Sequence, residues 1–318
     1  MAEESKTTVL AALTANAAIA AGKLVAGLLS GSSALLAEAG HSFADTANQV
    51  FLLIGINLSD TMPDETHPHG YGKESFFWSF MAAIFIFVAG ATFSFFEGAR
   101  TLIQDVNHHR TVFELALAFG VLAMAFVFES TSFSIAIRNL RRGARNRGWS
   151  FWRFVRESPD LSVKTVFWED GAALSGLIIA AAGLALSEAT GSEMWDGVAS
   201  LLIGVILACA AVILGLNARH LLLGAAAAPD TRHAIRTTVL AFPEVTGLPR
   251  MLTMQIGPSS ILVTGEIALR HGLTIEQAED LIVRIDAAVA EAAPEVRDTF
   301  WELRHEADAR AARHHANG

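Results

Sequence analysis

AEAGHSFADTAN, residues 37–48, breaks an otherwise apolar run with Glu38, His41, Asp45 and Asn48. These positions step by three, four and three, so on an α-helix they form one polar stripe. The residues on either side, about 33–58 in all, are long enough to cross a hydrocarbon core of about 30 Å, which takes ~20 helical residues. A histidine and two carboxylates at that depth cost free energy, and such residues mark functional sites.

Moving outward, further apolar stretches run at about 7–29, 76–100, 113–137, 162–187 and 195–222. Six spans are therefore expected. The 318 residues are 52% hydrophobic and only 17% charged, with a mean hydropathy of +0.41, which excludes an ordinary soluble domain. MAEESK lacks the basic start of a cleaved signal peptide, so the first stretch is read as a span. The connection between spans four and five carries Arg138, Arg141, Arg142, Arg145, Arg147, Arg153, Arg156 and Lys164, whereas SEATGSEMW between spans five and six carries no Lys or Arg. The positive-inside rule then places both termini in the cytoplasm, with the basic connection serving as topology signal and contact for anionic headgroups. Cys209 stands alone inside span six and forms no intramolecular disulfide.

After Gly224 the pattern changes. TRHAIRTTVLAF (231–242) suggests a short helix; RMLTMQI and ILVTGEIAL alternate around GPSS, a hairpin signal. LTIEQAEDLIVRIDAAVAEA carries a helical stripe through Ile275, Leu281, Ile282, Ile285 and Val289, and Thr274 with Gln277 forms a capping box. VRDTFWEL reads as a third strand. The expected organisation is an all-α six-helix transmembrane bundle over 1–224, a cytoplasmic α+β domain of α-β-β-α-β order (ferredoxin-like) over 225–306, and a disordered tail over 307–318. An excess of acidic over basic residues in the C-terminal part argues against nucleic acid.

The intramembrane polar residues suggest metal chemistry. His41 and Asp45, at i and i+4, share a helix face and suit a divalent transition metal. A tetrahedral site needs about four donors, and FWEDGAALSG in span five offers Glu169 and Asp170. Imidazole plus carboxylate without thiolate fits a labile site for Zn²⁺, Fe²⁺ or Mn²⁺. Lys23 is expected to snorkel or pair with a carboxylate, and Glu97 to pair with Arg100. Glu129, deeper in span four, suits either a proton carrier or a packing hydrogen bond. Neither a GxxxxGK[ST] motif nor a nucleophile–base constellation is present, so no enzyme is expected.

SGSSALLAEAGHSFADTANQVFLLIGINLS resembles the second-helix signature of the cation diffusion facilitator family, HPHGYGKESFFWSF its entry into the third helix, and WEDGAALSG its fifth helix. The resemblance covers nearly the whole chain. It implies a homodimeric, proton-coupled divalent metal exporter in a lipid bilayer, with the ion as transported substrate and no resident cofactor. Zn²⁺ is the first expectation, then Fe²⁺ or Mn²⁺, then Co²⁺ or Ni²⁺; a bacterial inner membrane is the expected location. It also implies a metal site between helices two and five, usually HxxxD or DxxxD on each. His41 and Asp45 match the first half; in the second half the position four before Asp170 is Val166, which binds no metal. The chain is similar to a subgroup with an adjacent Glu–Asp pair in helix five, which implies His41, Asp45 and Asp170 as ligands, with Asn48 or Glu169 as fourth. Val166 also raises a second reading, a metal-sensing membrane subunit that does not transport. Asp64 and His67 match a loop site of some relatives, whose further histidine is Tyr71 here, with His69 as a substitute donor. Lys73, just after that loop, joins Glu129 as a candidate for a proton or gating role. Gln255 stands where relatives often carry a histidine before the Gly-Pro turn, and His233, His271 and His305 are read as scattered surface histidines.

Overall fold

The computed structural model describes the backbone over residues 2–104, 110–146, 148–157 and 161–305, with side chains over the same ranges except 2–12, 15, 156–157, 161–166 and 305. The expected tail, 307–318, lies outside the described residues.

Apolar runs become long helices because a backbone in hydrocarbon must satisfy its own hydrogen bonds. Helix α1 (Ala2–Ser30) ends at Gly31, whose φ of 65° reverses the chain in a left-handed C-terminal cap. Helix α2 (Ser33–Ser59) follows at once, and the Ser32 hydroxyl accepts the Leu35 N–H at 3.1 Å as its cap. The third membrane-length helix is α3 (Glu74–Phe85) continuing through a π-helical turn, Ile86–Ala91, into α4 (Thr92–Gln104). Helix α5 (Val112–Asn146) runs nine residues beyond the apolar stretch ending at 137, so much of the basic connection is helical. A short helix, α6 (Phe151–Glu157), folds back so that Phe154 and Val155 pack on Leu140 and Ala144. Helices α7 (Leu161–Thr190) and α8 (Met194–Leu222) complete this part.

By length and apolarity, four stretches among the described residues qualify as membrane spans: Glu74–Gln104, Val112–Asn146, Phe167–Thr190 and Met194–Leu222. Six were expected. The two others are α1 and α2. The α1 backbone is helical over 29 residues, and its stretch Asn16–Ser30, with side chains described, is predominantly apolar; α2 has 27 residues but carries the polar stripe.

Two compact units emerge: Met1–Ile56 with Phe77–Arg219, and Asn57–Phe76 with His220–Gly318. In the first, small residues line the interior. Ala34, Ala37, Ala91, Ala118, Ala125 and Ala180 pack with Leu35, Leu177, Leu184 and Ile203, while Leu28, Phe96, Val127 and Ile178 face outward. That is the arrangement of a lipid-facing bundle, in which close backbone approach replaces a hydrophobic drive. At Gly98 a Cβ would lie 2.8 Å from the Gly197 carbonyl oxygen, so α4 and α8 cross almost backbone to backbone.

The second unit holds α9 (Pro229–Leu240), β1 (Val245–Gly257), β2 (Ser260–Leu269), α10 (Ile275–Ala292) and β3 (Val296–His305). The α-β-β-α-β order read from the sequence is present. Strands β1 and β2 form the antiparallel hairpin, and β3 joins β2 in parallel, giving the order β1-β2-β3. The capping box on α10 is formed by both bonds, Gln277 N–H to Thr274 Oγ1 and Thr274 N–H to Gln277 Oε1. Ile261, Val263 and Ile267 from the sheet meet Leu281, Ile285 and Val289 from α10 and Ile235 and Val239 from α9, each at most 1% exposed. Ile275 departs from the expected stripe: it is 79% exposed, because it is the first helical residue and precedes the turns that face the sheet.

Candidate metal-binding site

Helix α2 presents its stripe inward. Glu38, His41 and Asn48 are buried, and the Asp45 side chain is 13% exposed. His41 Nε2 lies 3.3 Å from Asp45 Oδ2, as the i, i+4 spacing requires. The pair is not aligned as a hydrogen bond. Both His41 ring nitrogens and Asp45 Oδ1 are buried with no hydrogen-bond partner among the described residues. Buried polar atoms without partners are rare in folded proteins, and each calls for an explanation.

From α7, Glu169 reaches the stripe. Asn48 Nδ2 donates to Glu169 Oε1 at 2.6 Å, which brings the Glu169 carboxyl beside that of Asp45. Asp170 turns the other way and accepts from Ser132 Oγ on α5 at 2.8 Å. The roughly 100° step between adjacent helical residues separates the two carboxylates. The structure thus brings Glu169, rather than Asp170, to His41, Asp45 and Asn48. Among the described residues, no three His, Cys, Asp or Glu side chains converge on one point close enough to hold an ion together. The Val166 side chain lies outside the described residues.

Glu129 on α5 faces Asp45 across a cavity of about 10 Å³, lined also by Asn16, Ile19 and Ser42. That is the scale of a single water. Lys23 resolves its two alternatives by pairing: its ammonium donates to Glu38 Oε2 at 2.9 Å and to Ser42 Oγ at 2.7 Å, with both charged side chains 0% exposed. Glu97 lies 3.5 Å from Arg100, the expected ion pair.

One buried cluster escaped the sequence reading. At the N-terminus of α8, Asp196 accepts from the Ser32 hydroxyl at 2.7 Å, the Ser33 N–H at 2.5 Å and the Ser33 hydroxyl at 3.0 Å. It thereby places a carboxylate against the positive end of the α2 dipole. Arg110 stands 4.0 Å from Asp196 and donates to Glu193 at 2.8 Å, Glu188 at 3.0 Å and the Ser30 carbonyl at 2.7 Å. The legible signal was an aspartate inside the first turn of an apolar helix. Ser132 had a signal too, since it stands three residues after Glu129 on α5.

In the second unit, Asp64 accepts from the Thr66 N–H at 2.9 Å, the Thr66 hydroxyl at 2.7 Å, the His67 N–H at 2.7 Å and the Tyr71 hydroxyl at 2.8 Å. The Thr66 and Tyr71 hydroxyls, with these N–H groups, hold its carboxyl well below the usual carboxylate range. His67 stacks beside Tyr71 with ring centres 4.1 Å apart, and its Nδ1 is 3.8 Å from Asp64. His69 points elsewhere, to Asp298 on β3 at 3.4 Å, so the three candidate loop donors are not gathered together. Lys73 is half-buried before α3, and its carbonyl accepts the Phe76 N–H. Gln255 is 8% exposed and uses its amide to donate to the Gly257 carbonyl at 3.0 Å, which closes the turn where relatives' histidine was expected. His233 and His271 are exposed, and the His305 side chain lies outside the described residues.

Three curated proteins illustrate what the chain is similar to. It is 31% identical over 245 residues to the "Proton-coupled zinc antiporter SLC30A9, mitochondrial" of Homo sapiens, covering 77% of this chain and 42% of that protein. It is 30% identical over 274 residues to "Metal tolerance protein C4" of Arabidopsis thaliana, covering 86% of this chain and 59% of that one. With the "Cation-efflux pump FieF" of Shewanella oneidensis it shares 25% identity over 275 residues, 85% of each chain. The chain therefore spans about two-fifths of the length of the human relative. Residues 9–223, which include every residue of the α2 stripe and the Glu169–Asp170 pair, match the cation efflux transmembrane domain, and the chain belongs to that family.

Proposed function

We propose that this protein is a proton-coupled exporter of divalent metal cations, with Zn²⁺ as the first substrate and Fe²⁺ or Mn²⁺ as the alternatives. The observation that carries the reading is the group of unpartnered buried donors, His41 Nδ1 and Nε2 and Asp45 Oδ1, beside Glu169 and Asn48. A borderline cation takes such donors. On this reading His41, Asp45 and Glu169, with Asn48, draw together on the ion when it binds, and the adjacent Glu169 and Asp170 support membership of the subgroup with that helix-five feature. Neighbouring carboxyls such as Asp45 and Glu169 can share one proton in a hydrogen bond. Ion and proton then compete for the same oxygens, since metal binding requires neutral imidazole and ionised carboxylates. A proton moving inward displaces the ion outward, and rocking of the helices opens the site to each side in turn.

The zinc preference draws on the human relative, which is named as a zinc antiporter. All six long helices are taken to cross the membrane, α2 tolerating its stripe because partner helices cover it. Both termini and residues 225–306 are placed on the cytoplasmic side, and two copies on the family's homodimeric pattern. The relatives named above come from a human, a plant and a bacterium, so the expected bacterial inner membrane gives way to an integral membrane location of unspecified compartment. The loop donors Asp64, His67 and His69 are assigned a structural role, because Asp64 already accepts four hydrogen bonds. The test is uptake of Zn²⁺, Mn²⁺ and Fe²⁺ in competition into proteoliposomes under a pH gradient. Accumulation that collapses with the gradient supports the reading. Binding without accumulation would make the protein a sensor or partner subunit.

A further inference from the structure

Glu38, His41 and Asp45 occupy successive turns of one helix face, and each has a buried polar atom without a hydrogen-bond partner among the described residues. Glu38 differs in that Lys23 of α1 holds one of its oxygens, Oε2, and anchors itself further on Ser42, the residue after His41. The other oxygen, Oε1, is buried with no hydrogen-bond partner among the described residues. It packs against Gly176 of α7, where any Cβ would collide with it. Glu38 is thus a fully buried carboxylate with one oxygen unused, on the same helix face as His41 and Asp45.

We propose that Lys23 sets the ion selectivity of the site by masking Glu38: its ammonium is a tethered internal cation that keeps a further hard oxygen donor away from the transported metal. The proposal rests on His41 and Asp45 holding the ion. Physically, a donor set of one imidazole and few carboxylates suits Zn²⁺, whereas each added carboxylate favours harder ions such as Mn²⁺ and Mg²⁺. It also tightens binding through its charge, which opposes release. A lysine suits the masking role because its ammonium is a compact group with three donors, two of which go to Glu38 and Ser42. Gly176 contributes by leaving room for the masked carboxylate between α2 and α7.

The experiment measures Zn²⁺ and Mn²⁺ affinities by calorimetry on the full-length purified protein. Lys23→Met is expected to free Glu38 and tighten Mn²⁺ by about tenfold or more relative to Zn²⁺. Lys23→Arg, which keeps the charge, should leave the Mn²⁺/Zn²⁺ ratio near that of the unmodified protein. An unchanged ratio in folded Lys23→Met overturns the proposal. Where Lys23→Met fails to fold because Glu38 is stranded, the double variant Lys23→Met with Glu38→Met removes both charges, a replacement that buried pairs commonly tolerate. The double variant should show the unmodified ratio. A weakened Mn²⁺ affinity there would mean that Glu38 is already a donor, and a tightened one would mean that Lys23 acts by repulsion alone; either result overturns masking. His41→Ala separates the layers: if it binds both metals as the unmodified protein does, the site assignment itself fails, and masking falls with it.

Discussion

The bundle core and the C-terminal core are both buried, and they are built on opposite chemistry. Beneath the three-stranded sheet, Ile235, Ile261, Val263, Ile267, Leu281, Ile285 and Val289 form an apolar interior with no charged member. Water drives that core together, because removing apolar surface from water is favourable. Inside the bundle, Lys23, Glu38, His41, Asn48, Asp196 and Ser200 are buried among alanines, while large apolar side chains face outward. Lipid offers those outer side chains the same environment as a protein interior, so nothing draws them in. What such a bundle must manage is its polar groups. Lys23 pairs with Glu38, Asp196 binds Ser32 and Ser33, and Arg110 joins three carboxylates. Among the described residues of the bundle, His41, Asp45 and Glu38 keep buried polar atoms without a hydrogen-bond partner, and the proposed function assigns those of His41 and Asp45 to the ion.

The comparison breaks most sharply at Asp45. Asp45→Ala should reduce pH-driven metal uptake to background while the protein remains folded, because losing an intramembrane carboxylate does not harm the apo bundle. Wild-type uptake by this variant, measured in proteoliposomes, would remove the stripe from the transport site. Next in size is Arg110→Met, which leaves Glu193, Glu188 and Asp196 without their cation and should cost about 3–5 kcal/mol. Thermal unfolding in detergent checks it, and a change below about 1 kcal/mol would show that the cluster is wet and screened.

In the apolar core, Ile285→Ala should destabilise the C-terminal unit by about 2–5 kcal/mol through lost transfer energy and a residual cavity. The unfolding transition of that unit, followed by its own near-ultraviolet signal, is the measurement. At the site, Glu169→Gln should weaken Zn²⁺ binding more than Asp170→Asn does. A change to Asp170, which acts through its bond to Ser132, is expected to cost no more than about 10–100-fold. Calorimetry giving the reverse order would return the helix-five ligand to Asp170, as the family resemblance suggested.

The smallest expected effect is at Asp64. Its carboxyl titrates below the usual range in the folded protein, so its contribution is fully present above the unfolded value near 3.9 and is lost as pH falls through the lower folded value. Between pH 5 and 8 the Asp64 contribution should therefore stay constant, whereas Asp64→Ala should loosen the loop at every pH. Hydrogen exchange at the Thr66 and His67 amides distinguishes the two.

Much of this was legible in the sequence because its signals are local. The 3-4-3 spacing of Glu38, His41, Asp45 and Asn48 fixes one helix face whatever the neighbours do. The capping box at Thr274–Gln277 and the alternation around GPSS likewise need only a few adjacent residues, and both elements form where expected. Which partner each polar side chain chooses was not local. Lys23 to Glu38 spans 15 residues, Asn48 to Glu169 spans 121 and Ser32 to Asp196 spans 164. Adjacent carboxylates such as Glu169 and Asp170 look alike in a sequence, and only the packing of α7 between α2 and α5 sends one to Asn48 and the other to Ser132. Spacing along a helix determines which residues share a face; tertiary packing decides what that face meets, because contact depends on how separate helices are rotated against each other.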